Sequence, residues 1–336
     1  MYRISNALIA STLLILSLLV AVTPAKVNKV GSKSLPGKGT PVLWRDPSDI
    51  ASRNLFYGPG GKAHEPTGTF TFDKEDSDGS NPKFDVVDQN GVHWRVKLGP
   101  EVRPETVASR LVWGAGYFAN EDYFVPVLHV QRMKHLRRGN NLVSKDGTVH
   151  DVRMKRHSPD EKKIGSWSWS KGPFNGTPEW YGLRVLMAVM NNWDLKDINN
   201  AIYLTGGEPA EERYLVSDLG ASFGSTGLNW ALKGKPSAYW DSKLIKSVSD
   251  EFVDFNTPSA PAVNFYLNFP EMAKRISLLW LGKHIPRAHA RWMGTQLAKL
   301  SPSQIRDAFR ASGYSPEEVE RLSQVLEQRI DELQKL

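Results

Sequence analysis

Asp194-Leu195-Lys196-Asp197-Ile198-Asn199 places an acid, a lysine two residues on and an amide five residues on in one short polar stretch. A second stretch, Tyr214-Leu215-Val216-Ser217-Asp218-Leu219-Gly220, follows it. The flanking pattern decides the fold. Upstream, Leu183, Leu186, Met187 and Met190 recur at helical spacing after Thr177 and predict a helix that stops at Asn191. Downstream, Ala201 to Leu204 predicts a strand, and the apolar run from Tyr214 predicts another that ends at Asp218. Helix caps and Asx turns alone would account for Asp194, Asp197, Asn199 and Asn200. They would not require that sequel of strand, turn, strand and Asp-Leu-Gly.

Phosphoryl transfer gives a reason for these residue types at this spacing. The protein has little covalent work to do, so it needs an acid beside the acceptor hydroxyl, a cation near the migrating group and oxygen ligands for a divalent ion. Asp194 would orient or deprotonate the hydroxyl and Lys196 would neutralise charge. Magnesium prefers hard oxygen donors and retains waters, so the Asn199 amide oxygen and the Asp218 carboxylate suffice beside a nucleotide's own phosphates. No histidine or thiol is required, and the chain has no cysteine.

The Asp-Leu-Lys-x-x-Asn loop followed by Asp-Leu-Gly resembles the protein kinase superfamily, especially its divergent branches: HipA-type kinases, phosphoinositide-kinase-like enzymes and secretory-pathway kinases. The resemblance covers about residues 67 to 230 and implies an α+β, two-lobed fold. Residues 51–133 would form a small antiparallel, β-rich nucleotide lobe, 134–172 an insertion, and 173–336 a larger, mainly helical lobe with the catalytic loop. It also implies ATP or another nucleoside triphosphate with Mg2+ or Mn2+ as cofactors, and a hydroxyl-bearing acceptor (protein, glycan or lipid) as partner.

Upstream, Thr67 to Phe72, Lys83 to Asp88 and Val92 to Leu98 read as strands, with Gln89-Asn90-Gly91 as a hairpin turn. Lys97 alternates with apolar neighbours there, and by resemblance it would pair the α- and β-phosphates. A helix is expected to start at Pro104, since proline fits a first helical position, and Val107, Ala108, Leu111, Val112 and Ala115 continue at helical spacing. By resemblance Glu105 would clamp Lys97; the other reading is an acid complementing the helix dipole. The family's glycine-rich loop is missing. Glu75 to Lys83 stands in its place, either as an ordinary hairpin loop or as a Gly/Ser turn over phosphates.

With 336 residues, 40% of them hydrophobic, the chain can bury a sizeable core. Its net charge of +7 is spread among acids, and no nucleic-acid motif accompanies the basic patches at His135–Arg138 and Arg153–Lys163, so a solvated surface and no nucleic-acid partner are expected. At the amino terminus Arg3, the apolar run Ala7 to Val22 and Thr23-Pro24-Ala25 predict a signal peptide over 1–25, hence a secreted or periplasmic, cell-envelope protein. The lysines at 26, 29, 33 and 38 favour the alternative of a single-pass membrane anchor. Residues 26–50 are expected to be a flexible tether without fold.

Tyr123 to Val130 reads as a strand and hinge between lobes, and 134–172 as a long loop with a strand at Thr148 to Met154. Trp167, Trp169 and Trp180 suit a core, with stacking on a ligand as the alternative. Ala221 to Lys235 stands where an activation segment would lie, and Met272 to Leu281 predicts an apolar helix. Ser301 to Gln304 and Ser315 to Glu318 are capping boxes, and Val319, Leu322, Leu326, Ile330 and Leu333 form one apolar stripe. Two rival functions are a catalytically inactive kinase-like binding protein of the cell envelope and a serine hydrolase. The latter would use Ser222 in Gly220-Ala221-Ser222-Phe223-Gly224, with His284 or His289 and Asp250 or Asp254.

Overall fold

The computed structural model describes residues 39–79, 81–192, 194–224, 235–256, 273 and 276–336. The expected leader over 1–25, the first part of the tether, residues 225–234 of the expected activation segment and part of the helix expected over 272–281 lie outside the described residues. The described end of that helix, Leu279–Gly282, is a 3-10 turn.

Alternation of side chains builds the first layer of this α+β architecture. Strands β2 (Phe70–Asp76), β3 (Lys83–Asp88), β4 (His93–Lys97), β5 (Asp122–Gln131) and β6 (Thr148–Arg156) close into a barrel in the order β2-β3-β4-β6-β5. Neighbours are antiparallel except at the closure, where Phe70 and Thr71 of β2 pair in parallel with Val130 and Gln131 of β5. Phe84, Val86, Trp94, Val96, Val152 and Met154 fill one core with Phe70. Because successive strand residues face opposite ways, Asp85, Arg95 and Lys97 stand on the other side of β3 and β4. Gly91, at φ +79°, makes the expected β3–β4 turn.

Three boundaries differ from the sequence reading. Tyr123 to Val130 is no hinge, because β5 is paired along β6 and closes on β2; the chain leaves the barrel only after Arg156. Residues 134–172 are more than an insertion, since β6 pairs with both β4 and β5, and β7 (Glu161–Gly165) joins a second sheet. The stretch 26–50 is not wholly a tether. Strand β1 (Thr40–Val42) pairs in parallel with β9 (Glu211–Val216), and Leu43 and Ile50 are buried.

The second sheet has the order β1-β9-β8-β7, with β8 at Asn200–Thr205. Helix α1 (Val102–Gly114) follows β4, and α2 (Pro178–Val189) precedes the polar loop. After the short α3 (Ser237–Trp240) come β10 (Ile245–Val248), β11 (Phe252–Phe255) and β12 (Ile285–Pro286), a three-stranded sheet. Helices α4 (Arg287–Leu297), α5 (Pro302–Arg310) and α6 (Pro316–Gln334) complete the chain, and both expected capping boxes are formed. Leu111, Leu186, Met187, Met293, Leu322, Leu326 and Ile330 share one large core. Each such side chain stabilises the fold by about 1.5–3 kcal/mol through burial. Trp167, Trp169 and Trp180 lie in this core, which answers the question their sequence positions left open.

Candidate active site

Lys97 stands at the end of β4, opposite Arg153 of β6 in the antiparallel register. Its Nζ meets three carboxylates: Glu105 Oε2 at 2.8 Å, Glu101 Oε2 at 2.9 Å and Asp218 Oδ1 at 3.3 Å. Burial by itself would favour the neutral amine, but Asp218, Glu101 and Glu105 outweigh it and hold the ammonium well above the usual lysine value.

Glu101 and Glu105 reach the same ammonium because residues four apart share a helix face, and α1 begins between them at Val102. The helix thus starts two residues before Pro104, which its first turn accommodates. Arg153 Nη2 donates to Glu105 Oε1 at 3.0 Å, and its Nη1 lies 3.3 Å from Asp122 Oδ1. A continuous chain of charge therefore runs from Asp218 through Lys97, Glu105 and Arg153 to Asp122. Four carboxylates (Glu101, Glu105, Asp122 and Asp218) face two cations, which leaves two negative charges.

The polar loop closes on itself and then on the second motif. Helix α2 is capped by Thr177, whose side chain accepts from the Trp180 amide, and the chain turns out of it at Asn191 with φ +58°, a conformation asparagine tolerates. Asn191 thus lies just beyond the helix, whose last residue is Val189. The Asn192 side chain accepts from the Asp194 amide at 3.1 Å, and Asp194 Oδ1 lies 3.3 Å from Lys196 Nζ. Asp197 is anchored elsewhere, accepting from the Trp169 amide at 3.1 Å. Asn199 donates through Nδ2 to the Asp194 carbonyl at 2.6 Å, while its own carbonyl accepts from the amides of Ser217 (2.8 Å) and Asp218 (3.0 Å). This pair of hydrogen bonds ties the Asp194 loop to the Asp-Leu-Gly turn.

Asp218 keeps 47% of its side chain exposed while its Oδ1 also accepts from the Gly220 amide at 3.2 Å. Gly220 is required sterically, since a Cβ there would lie 2.6 Å from Glu101 Oε2. The structure therefore brings Lys97, Glu105, Asn199 and Asp218 into one connected network, with Asp194 and Lys196 on the loop that Asn199 ties to it.

Glu101, Asp122 and Arg153 are members that the sequence reading missed. Glu101 had a signal, lying four residues from both Lys97 and Glu105. Arg153 looked like part of a basic surface patch, and Asp122 had no signal at all.

The hydrolase arrangement is not formed. Ser222 is fully buried and its hydroxyl has no hydrogen-bond partner among the described residues. His284 is exposed, with its amide bonded to Asp254, and His289 stacks on Tyr181. No group of three or more Asp, Glu or His side chains is arranged to hold a metal by itself among the described residues. No described helix is long and apolar enough to cross a membrane.

No protein-family model matches the chain, and no curated protein does. Among solved structures it is similar to the Helicobacter pylori proinflammatory kinase CtkA, at 12% identity and a TM-score of 0.45, over 80% of this chain and 97% of that one.

Proposed function

We propose that the chain is a two-lobed, kinase-like phosphotransferase that moves a phosphoryl group from a nucleoside triphosphate to a hydroxyl group. The observation that carries this reading is the Lys97 ammonium, held at once by Glu105 of α1 and by Asp218 of the Asp-Leu-Gly turn. A strand lysine paired with a helix acid, facing a metal-binding aspartate, is the constellation that phosphoryl transfer by kinases requires. The barrel with α1 is the nucleotide lobe on this reading, and the helical part is the acceptor lobe.

The donor set fits Mg2+ or Mn2+. It is made of hard oxygens without thiol or imidazole, the local charge is negative by two, and Asp218 is half open to solvent. Asn199 and Asp218 would hold the ion together with the nucleotide's phosphates; when bound, it would neutralise charge on the transferring group. Lys97 would bind the α- and β-phosphates, and Glu105 with Arg153 fixes its direction. Asp194 would take the acceptor proton as the acceptor oxygen bonds to the γ-phosphorus and the β–γ bridge oxygen leaves. Lys196, beside it, would neutralise the developing charge.

Calorimetry of the protein with MgATP and MnATP is the direct test. Binding is expected with either metal. Asp194→Asn should abolish phosphoryl transfer while leaving nucleotide affinity within about three-fold, whereas Asp218→Ala should weaken it by about ten-fold or more. Failure of the wild type to bind any nucleotide under either metal would sink the proposal. Export to the cell envelope after cleavage of residues 1–25 is a further part of it, tested by mass spectrometry of the native amino terminus.

A further inference from the structure

A cavity of about 300 Å³ is walled in part by Phe118, Asn120, Lys155, Tyr203, Arg213 and Leu215. Two of these residues connect it to the phosphate end. Leu215 lies on β9 three residues before Asp218, and Lys155 lies on β6 two residues past Arg153, about 7 Å along the strand. Asn120 of the wall also donates to the Ser217 carbonyl at 2.8 Å, next to Asp218, so the base of a nucleotide whose phosphates bind at Lys97 and Asp218 would have this space within reach.

The charges of the wall are mostly spent. Arg213 pairs with Glu161 at 2.8 Å, Arg156 lies 3.7 Å from Glu121, and Arg45 pairs with Glu211. Arg95, opposite Lys155 in the register, is committed to Asp85 by two hydrogen bonds of 2.8 and 3.1 Å and to Asp76 at 2.8 Å. Lys155 differs. It is half-buried, and its side chain makes no hydrogen bond or ion pair among the described residues. Burial first, and then the like charge of Arg153, bring its ammonium down to about 8. Such a group lacks an acceptor, and an ammonium can only donate.

We propose, resting on the phosphotransferase reading above, that the cavity takes the nucleobase and that Lys155 selects a base presenting acceptors, a 6-oxopurine such as guanine, over adenine. Guanine offers O6 and N7, both acceptors, whereas adenine places an amino donor where O6 would be. Donor against donor would leave both half-buried groups without a partner, which is the costly outcome. Tyr203 and Leu215 give the flat apolar contact a purine ring needs. The wall's own arginines, Arg45, Arg156 and Arg213, are less suited to this role because each already has its acid.

The test is calorimetric titration of the full-length protein with MgGTP, MgITP, MgATP and inorganic tripolyphosphate. GTP and ITP are expected to bind about ten-fold more tightly than ATP. Lys155→Met should erase that difference, and Lys155→Gln, whose amide can also accept, should shift it towards ATP. ATP equal to or tighter than GTP in the wild type would overturn the inference while leaving phosphotransfer standing. So would tripolyphosphate binding as tightly as GTP and weakened by Lys155→Met, since the ammonium would then serve a phosphate. If no nucleotide binds, both proposals fall together.

Discussion

Lys97 is where a single substitution separates charge balance from packing. Lys97→Met keeps much of the side-chain volume but leaves Glu101, Glu105 and Asp218 clustered without their shared cation. Removing one partner of a buried ion pair costs about 3–5 kcal/mol, and urea unfolding at pH 7 should show a loss of that order. The pH dependence has a definite sign. The folded-state value lies well above the ordinary 10.5, so the stabilisation is complete below about pH 10.5 and is lost only as pH rises through the raised value. The wild-type minus Lys97→Met difference should therefore stay flat from pH 7 to 10. Lys155 has the opposite sign. Its value of about 8 lies below that of the unfolded chain, so its charge penalises the fold fully below pH 8, and the penalty fades between about pH 8 and 10.5. The groups acting on it are Arg153 and Arg95 on one side, Asp122 and Glu105 on the other. Lys155→Met should raise the melting temperature at pH 7 by more than at pH 10, as a calorimetric melt at both values would show.

Among the elements, the pieces legible in the sequence are those fixed by local bonds. Asp194 and Asn199 are five residues apart and bond directly, the chain turns out of α2 at Asn191, an asparagine suited to its positive φ, and both capping boxes are four-residue patterns. What escaped depends on strand register over long separations. Arg153 meets Glu105 only because β6 lies beside β4, and the sequence between them gives no sign of that pairing. The apolar run of β5 suggested a hinge for the same reason, since burial on a paired strand and burial in a connection look alike in one sequence. The contact of the Asp-Leu-Gly turn with the start of α1 is a further long-range feature with a testable consequence. Gly220→Ala would place a Cβ 2.6 Å from Glu101 Oε2 and 2.8 Å from Glu101 Cβ. Glu101 must then leave Lys97, or the turn must move away from α1. Overpacking of this kind costs about 1–3 kcal/mol. The expected result is a lower urea midpoint together with weaker metal-nucleotide binding; unchanged calorimetry would mean that the turn does not need this close approach.

Across the whole molecule, the C-terminal helix and the polar loop are coupled by one arginine. Arg329 of α6 is buried and donates to the carbonyls of Val189 (2.8 Å), Tyr239 (3.1 Å) and Ser242 (3.1 Å), with its guanidinium 4.1 Å from the centre of the Tyr239 ring. Val189 is the last residue of α2, so this cation also sits at the negative end of that helix, five residues before Asp194. The apolar stripe of α6 places it there, since Leu322, Leu326 and Ile330 are packed in the same core as Leu186 and Met187. Arg329→Met would keep much of the apolar stem while leaving several carbonyls short of a donor, a loss of about 3 kcal/mol. Lysine has one point charge where the planar fork spans several acceptors, so Arg329→Lys should recover only part of it. Because Lys97, Glu105 and Asp218 lie on other elements, nucleotide affinity should change little in either variant. The turnover number should fall, because the loop that carries Asp194 loses its fixed starting point. Parallel measurement of nucleotide Kd and kcat decides the matter: equal losses in both would place Arg329 in general stability, whereas a fall in kcat alone would show that the far end of the chain sets the position of the Asp194 loop.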